Sequence, residues 1–238
     1  TTAKRFEAVR LRVMRQVHYS SKNSNAIDLV LFVNGIPVAT VELKTNYTGQ
    51  SITDAVRQYK KDRPPKGEPL LEFGRRAVVH FAVSNDLAAM TTRLEGEKTH
   101  FLPFNIGHDH GAGNPPGTDG RSATAYLWER VWDKDSWLGI IGRLMIVETK
   151  QEWDVATGTS VSRTSMLFPR FHQWEAVTNI VAAVRDEGGG QRYLIEHSAG
   201  SGKTNTIAWT AHRLARLHIN DKKVNRPGSV GGSRTCEG

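Results

Sequence analysis

Cysteine is all but absent: Cys236 is the only one among 238 residues, so neither an intramolecular disulfide nor a cysteine-rich metal cluster can form. No apolar stretch is long enough to cross a membrane, nothing at the N-terminus has the pattern of a secretion signal, and no internal repeat occurs. These absences exclude disulfide scaffolds, membrane spans and solenoids, and they fit a reducing cytoplasm. Negative charge is also short, because 24 Asp and Glu face 32 Lys and Arg, a formal net charge of +8. Such a balance favours a polyanionic partner without selecting any sequence of it. With 38% apolar residues, the chain has material for one large or two small domains.

What is present starts with residues 26 to 44, where two apolar, β-branched runs flank Asn34-Gly35. That dipeptide is a strong β-hairpin signal. The hairpin carries Asp28, Glu42 and Lys44, and Glu42 and Lys44, two apart in a strand, project from the same face. Two carboxylates, with the carbonyl of Leu43, suit Mg2+ that keeps several of its waters. The metal would activate a water, and Lys44 would position it or steady a pentavalent phosphate. Register decides whether the site forms. A plain two-residue turn pairs Asp28 with Val41 and puts it on the wrong face. A three-residue loop or a bulge restores Asp28 to the face of Thr40, Glu42 and Lys44, and one of these irregularities is expected. A surface hairpin with an exposed cross-strand Glu and Lys pair, of little energetic weight, satisfies the same spacing.

A second motif lies at residues 193 to 204, Tyr-Leu-Ile-Glu-His-Ser-Ala-Gly-Ser-Gly-Lys-Thr. It reads as a short apolar strand and a phosphate-binding loop. Gly200, Ser201 and Gly202 let backbone amides converge on a β-phosphate, Lys203 reaches the β and γ oxygens, and the Thr204 hydroxyl would ligate Mg2+. His197 stands where the full pattern has its first glycine. A helix from Thr204 to about Leu217 follows, with Ile207, Ala208, Ala211, Leu214 and Ala215 as its expected inner stripe. Upstream, Phe168-Pro169-Arg170-Phe171-His172-Gln173 enters a helix bearing Trp174, Val177, Val181 and Val184 at helical spacing. The Gln173 amide has the donor and acceptor needed for an adenine edge.

Elsewhere residues 1 to 20 and 50 to 63 read as helices, the latter ended by Pro64-Pro65, and Arg76 to Ser84 as a strand covered on both sides. Residues 101 to 120 form a long irregular loop holding His108, Asp109 and His110, for which a solvated loop is the expectation rather than a metal site. Tyr126 to Leu138 is expected to be helical, with Trp128 and Trp132 packed. The Gly- and Ser-bearing stretch from Thr157 to Thr164 suggests a boundary between modules.

Taken in order, Asp28, Glu42-x-Lys44, Phe-Pro-Arg-Phe-His-Gln and His-Ser-Ala-Gly-Ser-Gly-Lys-Thr resemble the restriction (R) subunit of type I restriction-modification enzymes, over nearly the whole chain. The resemblance implies an α/β fold: a restriction-endonuclease-like mixed sheet flanked by helices, of the PD-(D/E)xK type, over 1–156. The first part of a RecA-like motor would follow over 165–220. It implies Mg2+-dependent cleavage of double-stranded DNA, coupled in the full protein to ATP-driven translocation. Methylation and specificity subunits would supply the choice of sequence, since nothing here looks like a base-reading element. Asp28 and Glu42 would be the metal ligands, with Lys44 catalytic beside them. Two further residues come from the resemblance alone: Gln58, on the helix after the Lys strand, and Glu7, as an early acidic residue. Such nucleases often carry Gln and Tyr four residues apart on that helix. Here Gln58 and Tyr59 are adjacent and position 55 is Ala, so Tyr59 is expected to pack with Ile52, Ala55 and Val56.

After the phosphate-loop helix the further strands and acidic motif of a helicase core do not follow, and 221–238 reads as a disordered polar tail. The expectation is therefore a fragment with a nuclease domain and only the first turn of a motor, not expected on its own to hydrolyse ATP. Two other readings stand beside it: an ATP- and DNA-binding motor fragment with a non-cleaving nuclease fold, and a non-functional truncation.

Overall fold

A computed structural model describes residues 2–109, 111–154, 157–219 and 222–223. The apolar, β-branched runs of the first hundred residues build one mixed sheet. A short helix α1 (Thr2–Ala8) leads into β1 (Leu11–His18), β2 (Ala26–Val33) and β3 (Ile36–Leu43), followed by helix α2 (Ile52–Lys61), β4 (Val79–Val83), β5 (Ala88–Thr91) and β6 (Leu102–Pro103). The strands lie in sequence order across the sheet. Among the described strands only β3 and β4 run parallel, which requires a crossover, and α2 supplies it. The carboxylate of Asp54 accepts the backbone N–H of Ser51 at 2.9 Å, closing the first turn of α2.

Alternation along β4 separates two cores. His80 meets the ring of Tyr59 on the α2 side, where Ile27, Val30, Tyr59, Leu70, Leu71, Ala77 and Leu94 pack together. Phe81 points to the other side and meets Phe104, Trp132 and Phe168 edge-on at 5.3 to 6.1 Å. Phe104 follows β6 directly, Phe168 comes from further along the chain, and Trp132 comes from the segment around two π-helical turns, Leu127–Val131 and Ile140–Leu144, which flank helix α3 (Lys134–Gly139). All five residues of β4 are buried, as expected of a strand covered on both faces.

Strands β7 (Ile146–Asp154) and β8 (Thr159–Leu167) form a separate two-stranded hairpin. Its base is tied to the sheet domain by Thr92 Oγ1, which donates to the Met166 carbonyl at 2.9 Å, and by the Arg93 guanidinium on the Thr164 carbonyl. Helix α4 (Phe171–Glu187), helix α5 (Lys203–Ala215) and the short pair β9 (His218–Ile219) and β10 (Lys222–Lys223) complete the chain. The molecule divides into two compact units, Thr1–His172 and Gln173–Gly238. In the second unit, Trp174, Val177, Val181 and Val184 of α4 are buried, as their spacing implied.

Several expectations are corrected. Residues 1 to 20 are not one helix: α1 stops at Ala8 and 11–18 is strand β1. Leu11 and Val17 satisfy both periods, and pairing with β2 decides between them. The stretch from Thr157 to Thr164 is the turn and outgoing strand of the β7–β8 hairpin. Trp132 packs on Phe81, whereas Trp128 is half exposed. In the second unit the apolar run at 193–196 forms no strand, and Leu194 is 95% exposed. Helix α5 buries Thr206 and Trp209, while Ile207 of the expected inner stripe is exposed. Apart from Lys222 and Lys223, the tail expected to be disordered lies outside the described residues, as does His110.

Candidate functional site

The hairpin of β2 and β3 assembles a pair of carboxylates through one extra residue. Asn34 (φ 51°) and Gly35 (φ 83°) make a left-handed two-residue turn that suits the twist of the strands. It pairs Val33 with Ile36 and Phe32 with Pro37. Continued unchanged, that register would set Asp28 opposite Val41. Instead it shifts between Leu31 and Phe32, so that Leu31 pairs with Ala39, Val30 with Thr40 and Leu29 with Val41. Val38 is the inserted residue, beside Pro37, which has no N–H to offer the ladder. One more step along the shifted register brings Asp28 opposite Glu42. The bulge is one of the two irregularities the sequence called for.

Both carboxylates are held. Asp28 Oδ2 accepts the backbone N–H of Leu43 at 2.8 Å, and Oδ1 accepts Gln16 Nε2 at 3.0 Å. Glu42 is fully buried, and its Oε1 accepts Arg63 Nε at 2.8 Å. Oε2 is buried without a hydrogen-bond partner. Burial pushes the Glu42 carboxyl up to about 8; the Arg63 guanidinium works against this, and the neighbouring Asp28 adds to it. Arg63 is itself buried and also donates to the carbonyl of Ala26 at 2.8 Å. It therefore joins the start of β2, the end of β3 and the end of α2. Nothing in the sequence singled it out, because it follows Lys60 and Lys61 and resembles one more surface cation. Only the crossover brings it under the sheet.

Lys44 continues the ladder through its N–H to the Val83 carbonyl at 2.8 Å. Its side chain lines a polar cleft of about 410 Å³ with Gln50, Asp54, Arg57, Gln58, Lys61 and Asp62. Gln58 Oε1 is buried there without a partner. The structure thus brings Lys44 and Gln58 to one cleft, while the cation that meets Glu42 is Arg63. Tyr59 packs, as expected, and its hydroxyl shares a hydrogen bond of 2.8 Å with Thr40, which in turn bonds His80 Nδ1 at 2.7 Å. Glu7 is not brought to the carboxylates. It is exposed on α1, just before Leu11, which pairs with Val33 at the other end of β2. Five residue steps along β2 separate that end from Asp28, roughly 17 Å at the usual rise.

Among the described residues no group of three or more His, Cys, Asp or Glu gathers. Asp28 and Glu42 stand as a pair, with one buried oxygen uncommitted. Such a donor set fits a small hard cation that retains several waters. His108 and Asp109 make an exposed contact of 3.1 Å with each other.

In the second unit the glycine loop leads directly into α5. Gly200 and Gly202 have φ of 70° and 82°. A Cβ at Gly202 would lie 2.5 Å from Gln173 Nε2, so conformation and space both demand glycine there. Gln173 is buried and donates from Nε2 to the carbonyls of Ser201 at 3.1 Å and Gly202 at 3.0 Å. Its amide ties down the loop. Lys203 Nζ donates to the Ser198 carbonyl at 2.8 Å, and the Thr204 side chain, in the first turn of α5, is exposed.

Residues 2–99 match the family model for the type I restriction enzyme R protein N terminus. Over this stretch the chain is similar to the N terminus of type I R proteins. The matched segment contains the whole carboxylate site, from Gln16 through Asp28, Glu42 and Lys44 to Gln58 and Arg63. A chain of Methanocaldococcus jannaschii, named for the endonuclease subunit of the type I restriction enzyme MjaVIIIP, is 22% identical over 214 residues. The alignment takes in 86% of the present chain and 18% of that relative, so the chain spans less than a fifth of the curated relative it matches.

Proposed function

We propose that the matched segment is a Mg2+-dependent nuclease that cuts double-stranded DNA. The observation that carries this reading is the bulge at Val38, which sets Asp28 opposite Glu42 while one buried oxygen of Glu42 lacks a partner. Asp28 and Glu42 hold the cation, with the Leu43 carbonyl beside them. When bound, Mg2+ supplies Lewis-acid polarisation of the phosphodiester and a more acidic water. The chain's own groups bind and orient. Lys44 offers its ammonium to the phosphate from the adjoining cleft, and Gln58 offers an amide oxygen to a water or to the strand. Arg63 offsets part of the cost of ionising Glu42 in its buried position, and the net charge of +8 draws the polyanion in.

The glycine loop at Gly200–Thr204 is assigned to the phosphates of ATP, at the positive end of α5, as the start of a RecA-like motor in the longer protein. The Gln173 NH2 group is committed to Ser201 and Gly202, so offering it to an adenine edge would require it to release the loop. Translocation belongs to that longer protein, and methylation and specificity subunits would direct it to a site. The buried Arg63–Glu42 ion pair favours a second reading, a nuclease fold retained for DNA binding alone.

Plasmid DNA incubated with the chain and Mg2+ in the absence of ATP separates the two. Nicking by the wild type, lost in Asp28→Ala and in Lys44→Ala, supports the nuclease. DNA retention on a filter without cutting, even in the longer protein supplied with ATP and its partner subunits, supports the binding fold.

A further inference from the structure

Gln16 is one of the described residues other than glycine with a left-handed backbone, at φ 50°. It sits in the edge strand β1 with regular pairs on both sides, Arg15 with Leu29 and Val17 with Ile27, so it falls opposite Asp28. Non-glycine residues avoid this conformation, and where they keep it the surroundings over-determine it. Irregularities of this kind re-aim a side chain. Here the re-aimed group is an amide, whose Nε2 donates to Asp28 Oδ1 at 3.0 Å while the Leu43 N–H holds Oδ2 at 2.8 Å. The residue is exposed, so this hydrogen bond adds little to stability, yet it orients the carboxylate. A neutral donor also leaves the charge of Asp28 intact for a cation, whereas the guanidinium on Glu42 does not.

We infer that Gln16 is a positioning residue for the metal site: its left-handed backbone places the amide that fixes the rotation of the Asp28 carboxylate. The inference rests on the reading that Asp28 and Glu42 hold a divalent cation. Partners that orient metal ligands typically contribute tenfold or more to affinity.

The test is a calorimetric titration of Mn2+ into the chain for wild type, Gln16→Gly and Asp28→Asn, each with its melting temperature. Glycine accepts the left-handed conformation but has no amide. Gln16→Gly should bind Mn2+ about tenfold more weakly while melting at the wild-type temperature or above it, a pair of changes that a purely structural role does not produce. Wild-type affinity in Gln16→Gly, with binding lost in Asp28→Asn, overturns the inference and leaves the metal reading standing. A markedly lower melting temperature in Gln16→Gly overturns it as well, by making the residue a strand support. Failure of the wild type to bind Mn2+ overturns the metal reading and this inference with it.

Discussion

Glu42 and Arg63 are a buried ion pair, and such pairs respond unequally to single and double replacement. Removing Arg63 leaves the buried Glu42 without its partner, and breaking such a pair costs about 3 to 5 kcal/mol. Replacing both partners by apolar residues of similar volume is often neutral or stabilising. Urea denaturation should therefore find Arg63→Met strongly destabilised and the double variant Arg63→Met with Glu42→Leu restored close to wild type. If the single variant is as stable as wild type, the guanidinium is not compensating Glu42. His80 gives a second residue-scale prediction. Burial pushes its imidazole down to about 3, so between about 3 and 6.5 the unfolded chain binds the extra proton and stability falls as pH falls. The slope approaches 1.4 kcal/mol per pH unit. Glu42, pushed up to about 8, acts in the opposite sense between about 4.5 and 8, because there the folded state holds the proton. The difference between wild type and His80→Gln isolates the histidine. Urea midpoints for the two should converge as pH drops from 7 to 5, and a constant gap would contradict the assignment.

At the scale of elements, the hairpin was legible because turn chemistry and the required face of Asp28 were in conflict, and only an irregularity resolves that conflict. Deleting Val38 removes the extra residue and restores the plain register, which turns Asp28 away from Glu42. The deletion variant should keep its sheet by circular dichroism and lose Mn2+ binding. Retained binding would mean that the bulge does not build the site. Helix α2 was also legible, from the stripe of Ala55 and Tyr59 and the proline stop. Strand β1 was not, since Leu11 and Val17 belong both to a helical set with Met14 and to an alternating set with Val13, and the offer of the β2 edge settles the matter. The inner face of α5 was misjudged for a related reason. Trp209 outweighs the smaller residues of the expected stripe, and Thr206 goes inward with it.

Across the whole molecule, the residues with chemistry fall into two compact units, and in each the residue that sequence reasoning missed or recast is a second-rank partner. Arg63 and Gln16 hold carboxylates, and Gln173 holds the glycine loop. Motif spacing names the groups that meet a ligand. It is silent about the groups that orient them, because those come from remote strands or from the far side of a crossover and follow no fixed spacing. The central claim is that the hairpin's two carboxylates share one divalent cation. Crystals of the chain grown with Mn2+ and measured near its absorption edge test this most directly. An anomalous peak about 2.1 to 2.3 Å from Asp28 and from Glu42 Oε2 is the predicted result. A map at saturating Mn2+ with no peak between them, and Arg63 still on Glu42, would contradict it.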